Sequence, residues 1–322
     1  MKTPKFWDKK SSLLSYLLIP FGKCYAWSIA RRFKRAKPYQ APVPVICVGN
    51  ISVGGTGKTP VCLSLMDVLR DKGWFFLNHG YKSHLKNVMV NTDTHYAFDV
   101  GDEAMLLAKS APTVVDNHRA RGAQMAVKNG AKGIIMDDGF QNPSLIKTLS
   151  FVVVDGKKGF GNERILPAGP LREPIIKGLK RADAVIIAGE DTWGVSFYLQ
   201  RNKIDLPVLT GRFTPNAEQL EKLKGKQVFA FAGLGNPQKF FDSLCESGVE
   251  LVGTQTYPDH YYYTRFDIEG MLEKAGSATL VTTTKDAVKL SKELRSKITI
   301  LEGNFIFDKP DDLNMVLKEV LK

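Results

Sequence analysis

The chain has 322 residues, 43% of them hydrophobic and 24% charged, which suits two domains of ordinary size and excludes wholesale disorder. Forty-five Lys and Arg against 33 Asp and Glu leave a net charge of +12, a field that favours anionic partners without choosing among nucleic acid, anionic lipid and phosphorylated substrates. The four cysteines, Cys24, Cys47, Cys62 and Cys245, lie far apart with no Cys-x-x-Cys pair, so they read as reduced, mostly buried thiols of a protein facing the cytosol.

At the N-terminus, Leu13 to Ala30 is apolar apart from Lys23 and some hydroxyls, is interrupted by Pro20 and Gly22, and leads into the basic run Arg31, Arg32, Lys34, Arg35 and Lys37. A spanning helix needs about 20 apolar residues, and no small-residue cleavage site follows. A helix lying in a membrane interface fits better than plain packing or a true anchor. Residues 1–40 are therefore assigned to a membrane-docking segment, 41–215 to a first α/β domain and 216–322 to a smaller α/β domain.

Lys37-Pro38 to Pro44 reads as a linker, and Val45 to Val48 as a buried parallel strand ending in Gly49-Asn50. A glycine loop then leads into a helix from Thr59 to Lys72, with Pro60 in the first turn where its missing N–H does no harm. Apolar runs recur at Phe75–Leu77, Thr113–Val115, Gly133–Met136, Phe151–Val154, Ala184–Ala188 and Pro207–Leu209, with helical patterns at Ala104–Ser110 and Arg119–Asn129. Such alternation implies a parallel sheet covered on both faces. A second series starts near Lys226, with strands at Val228–Ala232, Leu280–Thr283 and Ile298–Leu301 and a helix at Pro237–Ser247.

The strongest chemical signal is the stretch from Gly49 through Gly54, Gly55, Thr56, Gly57, Lys58 and Thr59. Strand, glycine loop, Gly-Lys-Thr and helix make a phosphate cradle: amides point inward, Lys58 reaches the β/γ-phosphates and Thr59 ligates Mg²⁺. Ser52 replaces the first glycine of the strict pattern, so the match is to the motif's tail. The apolar run ending in Asp137-Asp138 supplies the distal acid such a loop needs for Mg²⁺, and the pattern does not choose between the two carboxylates.

Asp99 to Glu103 is a further acidic cluster. Its spacing alone divides evenly between helix-capping acids and a carboxylate for proton abstraction. Leu166 to Pro174 is a rigid Pro- and Gly-containing loop that fixes Arg172 and Glu173, and the Arg172 guanidinium suits phosphate oxygens. Both join the candidate catalytic residues, against the plainer reading of a surface ion pair. Asp259-His260 sits in an aromatic loop and is a candidate proton-handling pair, the neighbouring tyrosines being core at least in part.

Together these segments resemble the tetraacyldisaccharide 4′-kinase family of lipid A biosynthesis. Gly49 through Pro60, Val100 through Glu103, Asp137 through Gln141, Leu166 through Pro174, Phe231 through Pro237, Asp259-His260 and Thr282 through Lys289 occur in the family's order. The resemblance implies a P-loop kinase fold with a second, smaller α/β domain, and ATP and Mg²⁺ on the P-loop side. It also implies an acylated disaccharide 1-phosphate as acceptor, and peripheral attachment to the cytosolic face of a bacterial inner membrane bearing anionic lipid. By the same carry-over Asp102 is the general base, Glu103 its neighbour, His260 tunes Asp102 from the second domain, and Arg119 contacts a phosphate. His79, Asn142 and Tyr261 depart from the family pattern, where arginine, histidine and histidine are usual.

Two other classes compete. A membrane-associated regulatory NTPase would use nucleotide as a switch, but Thr284-Lys285-Asp286 has its Asp one place too early for a guanine motif. A nucleic-acid-dependent ATPase is motivated by charge alone; the basic residues gather beside an apolar segment, and nucleic acid is not an expected partner.

Overall fold

Thirteen short strands carry the architecture of the protein, here a computed structural model that describes residues 4–318 and Val320. In chain order they are β1 (Val45–Gly49), β2 (Trp74–Asn78), β3 (Val88–Met89), β4 (Thr113–Val115), β5 (Gly133–Asp137), β6 (Leu149–Asp155), β7 (Ala184–Ala188), β8 (Val208–Pro215), β9 (Gln227–Ala232), β10 (Glu250–Thr256), β11 (Thr279–Thr283), β12 (Thr299–Leu301) and β13 (Gly303–Phe307).

Nine of them form one sheet in the order β13-β8-β7-β6-β1-β5-β2-β4-β3. Its pairings are parallel except at the two edges, where β13 meets β8 and β3 meets β4 antiparallel. Every residue of β1, β5 and β6 is buried, which is why their sequences run apolar without alternation. The faces still separate by period two: Val45 and Cys47 enter one core cluster, Ile46 and Val48 the opposite one. The remaining four strands form a parallel sheet, β10-β9-β11-β12, in a second lobe. The expected α/β class with two lobes is thus observed.

Two features differ from the sequence expectation. Residues 303–317 were placed with the smaller unit, but β13 pairs with β8 from Gly303↔Pro215 to Phe307↔Gly211, and the helix Pro310–Leu317 packs Leu313 and Leu317 into the large sheet's core. The chain therefore leaves the large sheet after β8 and returns to it. A five-residue alternation cannot say which sheet it joins, since either edge would satisfy it.

The N-terminal segment is interrupted at Leu18, just ahead of Pro20, into the helices Leu13–Leu17 and Ile19–Arg35, while Gly22 lies inside the second. Pro20 falls in the first turn of the helix Ile19–Arg35, where a missing N–H costs nothing. Gly22 is buried where an added Cβ would stand 3.0 Å from the Ile165 carbonyl. One side of the segment docks on the loop after β6, with Trp7 Nε1 donating to Pro167 O and Arg164 stacked over Tyr16. Leu13, Leu17, Phe21 and Trp27 remain exposed by 62% or more. Among the described residues, no helix is long and apolar enough to cross a membrane.

Candidate active site

Parallel strands present their carboxyl ends on one rim of the sheet, and the chemistry-bearing residues lie there. After β1 the chain turns through Gly54 (φ +116°) and Gly57 (φ +90°), backbone conformations in which a side chain would be strained, and enters the helix Lys58–Leu69. The turn is clipped from outside. Val53 N donates to Pro170 O at 2.8 Å, and Arg172 N donates to Ile51 O at 2.8 Å. These bonds deliver Arg172 to the loop. Inside it, Asn50 Nδ2 donates to Thr56 Oγ1.

The acids at the end of β5 meet this loop, and they divide their work. Thr59 Oγ1 donates to Asp137 Oδ2 at 3.0 Å, and Asn78 Nδ2 donates to the same oxygen at 3.2 Å. Asp137 Oδ1 is buried with no hydrogen-bond partner. Burial pushes the Asp137 carboxyl up to about 7, helped by Glu103 and Asp138 and opposed by Lys58. Asp138 takes cations instead: Arg172 grips both its oxygens at 2.9 and 3.2 Å, and Lys58 Nζ lies 3.7 Å away. Burial would raise Asp138, yet Lys58 and Arg172 outweigh it and hold the carboxyl down to about 2. Of the two carboxylates that the sequence left open for a metal, Asp137 has the free oxygen and Asp138 does not.

Across the crevice, Gly101 (φ +94°) turns the chain so that Asp102 opens the helix Asp102–Ala108. His260, from the loop between β10 and the helix Arg265–Ala275, places Nδ1 2.9 and 3.0 Å from the two Asp102 oxygens. With Asp102 ionised, Nδ1 must carry the proton. His260 itself sits at φ +62°, a strained backbone for a histidine that is retained where it aims the ring at the carboxylate. Burial would raise the Asp102 carboxyl, but the His260 hydrogen bond and the charge of Lys285 together hold it below its ordinary value.

Lys285 was not among the sequence candidates. Its Nζ bridges Asp259 Oδ1 at 3.4 Å and Glu103 Oε1 at 3.8 Å, so it ties the second lobe to the first. Behind it, Asp286 and Lys289 are fully buried and paired at 2.6 Å. Asp286 also accepts from Tyr263 OH at 2.8 Å and Gly233 N at 3.1 Å. A Lys-Asp-x-x-Lys run directly after an apolar strand was the available signal, because buried charges at a strand's carboxyl end must be paired.

Two candidates are corrected. Glu173 is 2% exposed and faces away from the crevice, accepting from Gln141 Nε2 at 2.9 Å and from Arg181 Nη2 at 2.8 and 2.9 Å. It braces the Arg172 loop. Arg119 is likewise 2% exposed, and its Nη2 donates to the carbonyls of Asp137 at 2.9 Å and Asp138 at 3.1 Å. It supports the turn that carries the acids. Gly54, Gly55, Thr56, Gly57, Lys58, Thr59, Asp137, Asp138 and Arg172 come together, and Asp102, Glu103 and His260 face them. The helices Lys58–Leu69 and Asp102–Ala108 that carry the two groups share one core cluster, where Leu107 joins Val61, Cys62 and Leu65.

Comparison with known proteins agrees with this geometry. The family model described as Tetraacyldisaccharide-1-P 4′-kinase matches residues 14–322. Tetraacyldisaccharide 4′-kinase from Paramagnetospirillum magneticum is 45% identical over 325 residues, covering 99% of each chain. Its counterpart from Rhodospirillum centenum is 43% identical, covering all of this chain and 97% of that one. Among solved structures, an "apo" form of LpxK from Aquifex aeolicus in complex with ATP superposes with a TM-score of 0.77 at 28% identity, covering 96% of this chain and all of the other.

Proposed function

Because this chain belongs to the tetraacyldisaccharide 4′-kinase family, and so transfers phosphate from ATP to the 4′-hydroxyl of tetraacyldisaccharide 1-phosphate in lipid A biosynthesis, we propose the following roles for its residues. The Gly54–Thr59 turn and the N-terminus of its helix hold the triphosphate, with Lys58 exchanging its Asp138 partner for phosphate oxygens. Arg172, held by Asp138 and the Ile51 carbonyl, is positioned to meet charge building on the transferred group.

Asp102 accepts the proton of the sugar hydroxyl. His260 donates to it through Nδ1 and fixes its orientation, and Lys285 with Glu103 sets the local charge. The observation that carries this reading is the facing of the Asp102–His260 pair and the Thr59–Asp137 contact across one crevice. A carboxylate held ionised is a weak base, so its contribution rests on position rather than on basicity.

The donor set fits a hard cation, since Thr59 offers a hydroxyl and Asp137 a buried carboxylate oxygen without a partner. Bound there, Mg²⁺ would neutralise charge on the phosphate oxygens. We further place the protein peripherally on the cytosolic face of a bacterial inner membrane. Support comes from the exposed Leu13, Leu17, Phe21 and Trp27 beside the basic residues 31–37.

The test is Asp102→Asn, which keeps the shape and removes the base. Turnover should fall by about 10²–10⁴ while ATP binding stays within a few-fold of the parent. Unchanged turnover would remove Asp102 from the role.

A further inference from the structure

The buried side of the N-terminal segment is bonded to the same loop that delivers Arg172 to the P-loop. We infer that Trp7 and Ser15 are positioning residues of the kinase reaction, which brace residues 160–172 and so fix the Arg172 guanidinium for the transferred phosphate. This role rests on the one proposed for Arg172 and extends it to a segment remote in the chain.

Ser15 runs against the pattern of its own helix. In Leu13–Leu17 the residues Leu13, Leu14, Tyr16 and Leu17 are exposed by 51% or more, while Ser15 is fully buried. An ordinary amphipathic helix buries its leucines and exposes its hydroxyls. A hydroxyl taken out of water needs partners, and the Ser15 Oγ donates to Ala168 O and accepts from Asn162 Nδ2 at 3.0 Å. Asn162 is buried as well. Its Nδ2 also donates to Ala168 O at 3.1 Å, its Oδ1 accepts from Arg164 N at 3.1 Å, and its backbone N donates to Trp7 O at 2.8 Å. Trp7 Nε1 then donates to Pro167 O at 3.1 Å. Among the described residues, neither the Pro167 nor the Ala168 carbonyl accepts a backbone N–H, so Trp7, Ser15 and Asn162 supply their hydrogen bonds.

The opposite edge of this loop grips the P-loop. Leu166 N donates to Leu171 O at 2.8 Å and Leu171 N donates to Arg164 O at 3.0 Å, closing residues 164–171 on themselves as one unit. From that unit Pro170 O accepts from Val53 N, and next to it Arg172 N donates to Ile51 O, both at 2.8 Å. The loop is therefore held between two edges, the N-terminal segment on one side and residues 51–53 on the other. Release of the first edge lets the unit drift, and the guanidinium that grips Asp138 drifts with it. A displacement of about 1 Å at a reacting centre can cost on the order of 10²-fold in rate. The Gly54–Thr59 turn lies beyond the clipped residues, so nucleotide affinity should be spared. In the helix Leu13–Leu17 the leucines face outward and the hydroxyl inward, which gives lipid contact and placement of Arg172 to opposite sides of one short element.

The test separates bracing from anchoring. The full chain, its Trp7→Phe/Ser15→Ala variant, Arg172→Gln and the triple variant are assayed with ATP, Mg²⁺ and tetraacyldisaccharide 1-phosphate in nonionic mixed micelles, below the melting temperature of each. Binding to phosphatidylglycerol–phosphatidylcholine vesicles is measured in parallel. We expect the Trp7→Phe/Ser15→Ala pair to lower kcat about ten-fold, with KM for ATP within about two-fold of the parent and vesicle binding retained. On the Arg172→Gln background the same pair should cost less than about two-fold, because the brace acts through that side chain. Unchanged kcat in the folded pair variant would overturn the inference. So would a full loss repeated on the Arg172→Gln background, or a loss of kcat that appears only with lost vesicle binding. Should the pair variant fail to fold, Trp7→Phe alone, which removes a single donor, is read by the same criteria with about a three-fold loss of kcat expected. Normal turnover in Arg172→Gln would overturn the role of Arg172 and the brace together, whereas a loss there with none in the pair variant would overturn the brace alone.

Discussion

Replacing Lys289 by Met tests whether the second lobe's buried charges hold the His260 loop in place. Both Lys289 and Asp286 are wholly buried at 2.6 Å, and Asp286 also binds Tyr263 OH and Gly233 N. Lys289→Met keeps much of the volume, removes the cation and leaves a buried carboxylate with neutral donors alone, Tyr263 OH, Gly233 N and Thr283 Oγ1. Breaking such a pair from one side costs about 3–5 kcal/mol. That is a large share of the 5–15 kcal/mol that holds a typical domain together. The Asp286→Asn/Lys289→Met double variant should recover most of the loss, because no unpaired charge remains.

The assay is urea unfolding of the parent, both single variants and the double variant, closed as a thermodynamic cycle and accompanied by kinase turnover and ATP binding. Tyr263 leads back through two residues to His260, so Lys289→Met should also lower turnover at temperatures where the large sheet is folded and ATP still binds. A loss under about 1 kcal/mol for Lys289→Met, or strict additivity of the two singles, would refute the reasoning.

Three further outcomes follow from the site. Asp137 ionises near 7 and must be ionised to meet a metal, so Mg²⁺ has to displace a proton below that pH. Apparent Mg²⁺ affinity, followed by calorimetry in the presence of nucleotide, should therefore weaken about ten-fold per pH unit below 6 and level off above 8. Lys285 lowers the Asp102 carboxyl, so Lys285→Met should move the acidic limb of the turnover–pH profile upward while Lys285→Arg leaves it in place; an unmoved limb in the Met variant would separate Lys285 from Asp102. Deleting residues 1–37 should shift the protein from membrane pellets to supernatant, and continued sedimentation with vesicles would refute docking by that segment.

Much of the large sheet was legible because burial on both faces forces continuous apolar runs, and Val45–Val48, Gly133–Met136 and Ala184–Ala188 fall within β1, β5 and β7. The P-loop and its distal acids were legible for a different reason: glycine at positive φ and carboxylates at a strand's end leave few alternatives. What the sequence withheld was direction. Glu173 follows Arg172 in a rigid loop, yet the chain bends at both residues, so one reaches Asp138 and the other Arg181. Arg119 opens a helix beside the acids but spends its guanidinium on their carbonyls. Lys285 was hidden because its partners, Glu103 and Asp259, are distant in sequence and meet it only when the lobes come together.

The pairing of Pro215 with Gly303 brings the exit and re-entry points of the chain side by side on an antiparallel ladder. Antiparallel neighbours of this kind can be joined by a two-residue turn. Residues 216–302 are in that sense an excisable insert. Substituting Asn-Gly for them would leave the nine-stranded host intact, yielding a miniature nucleotide trap stripped of His260 and Lys285.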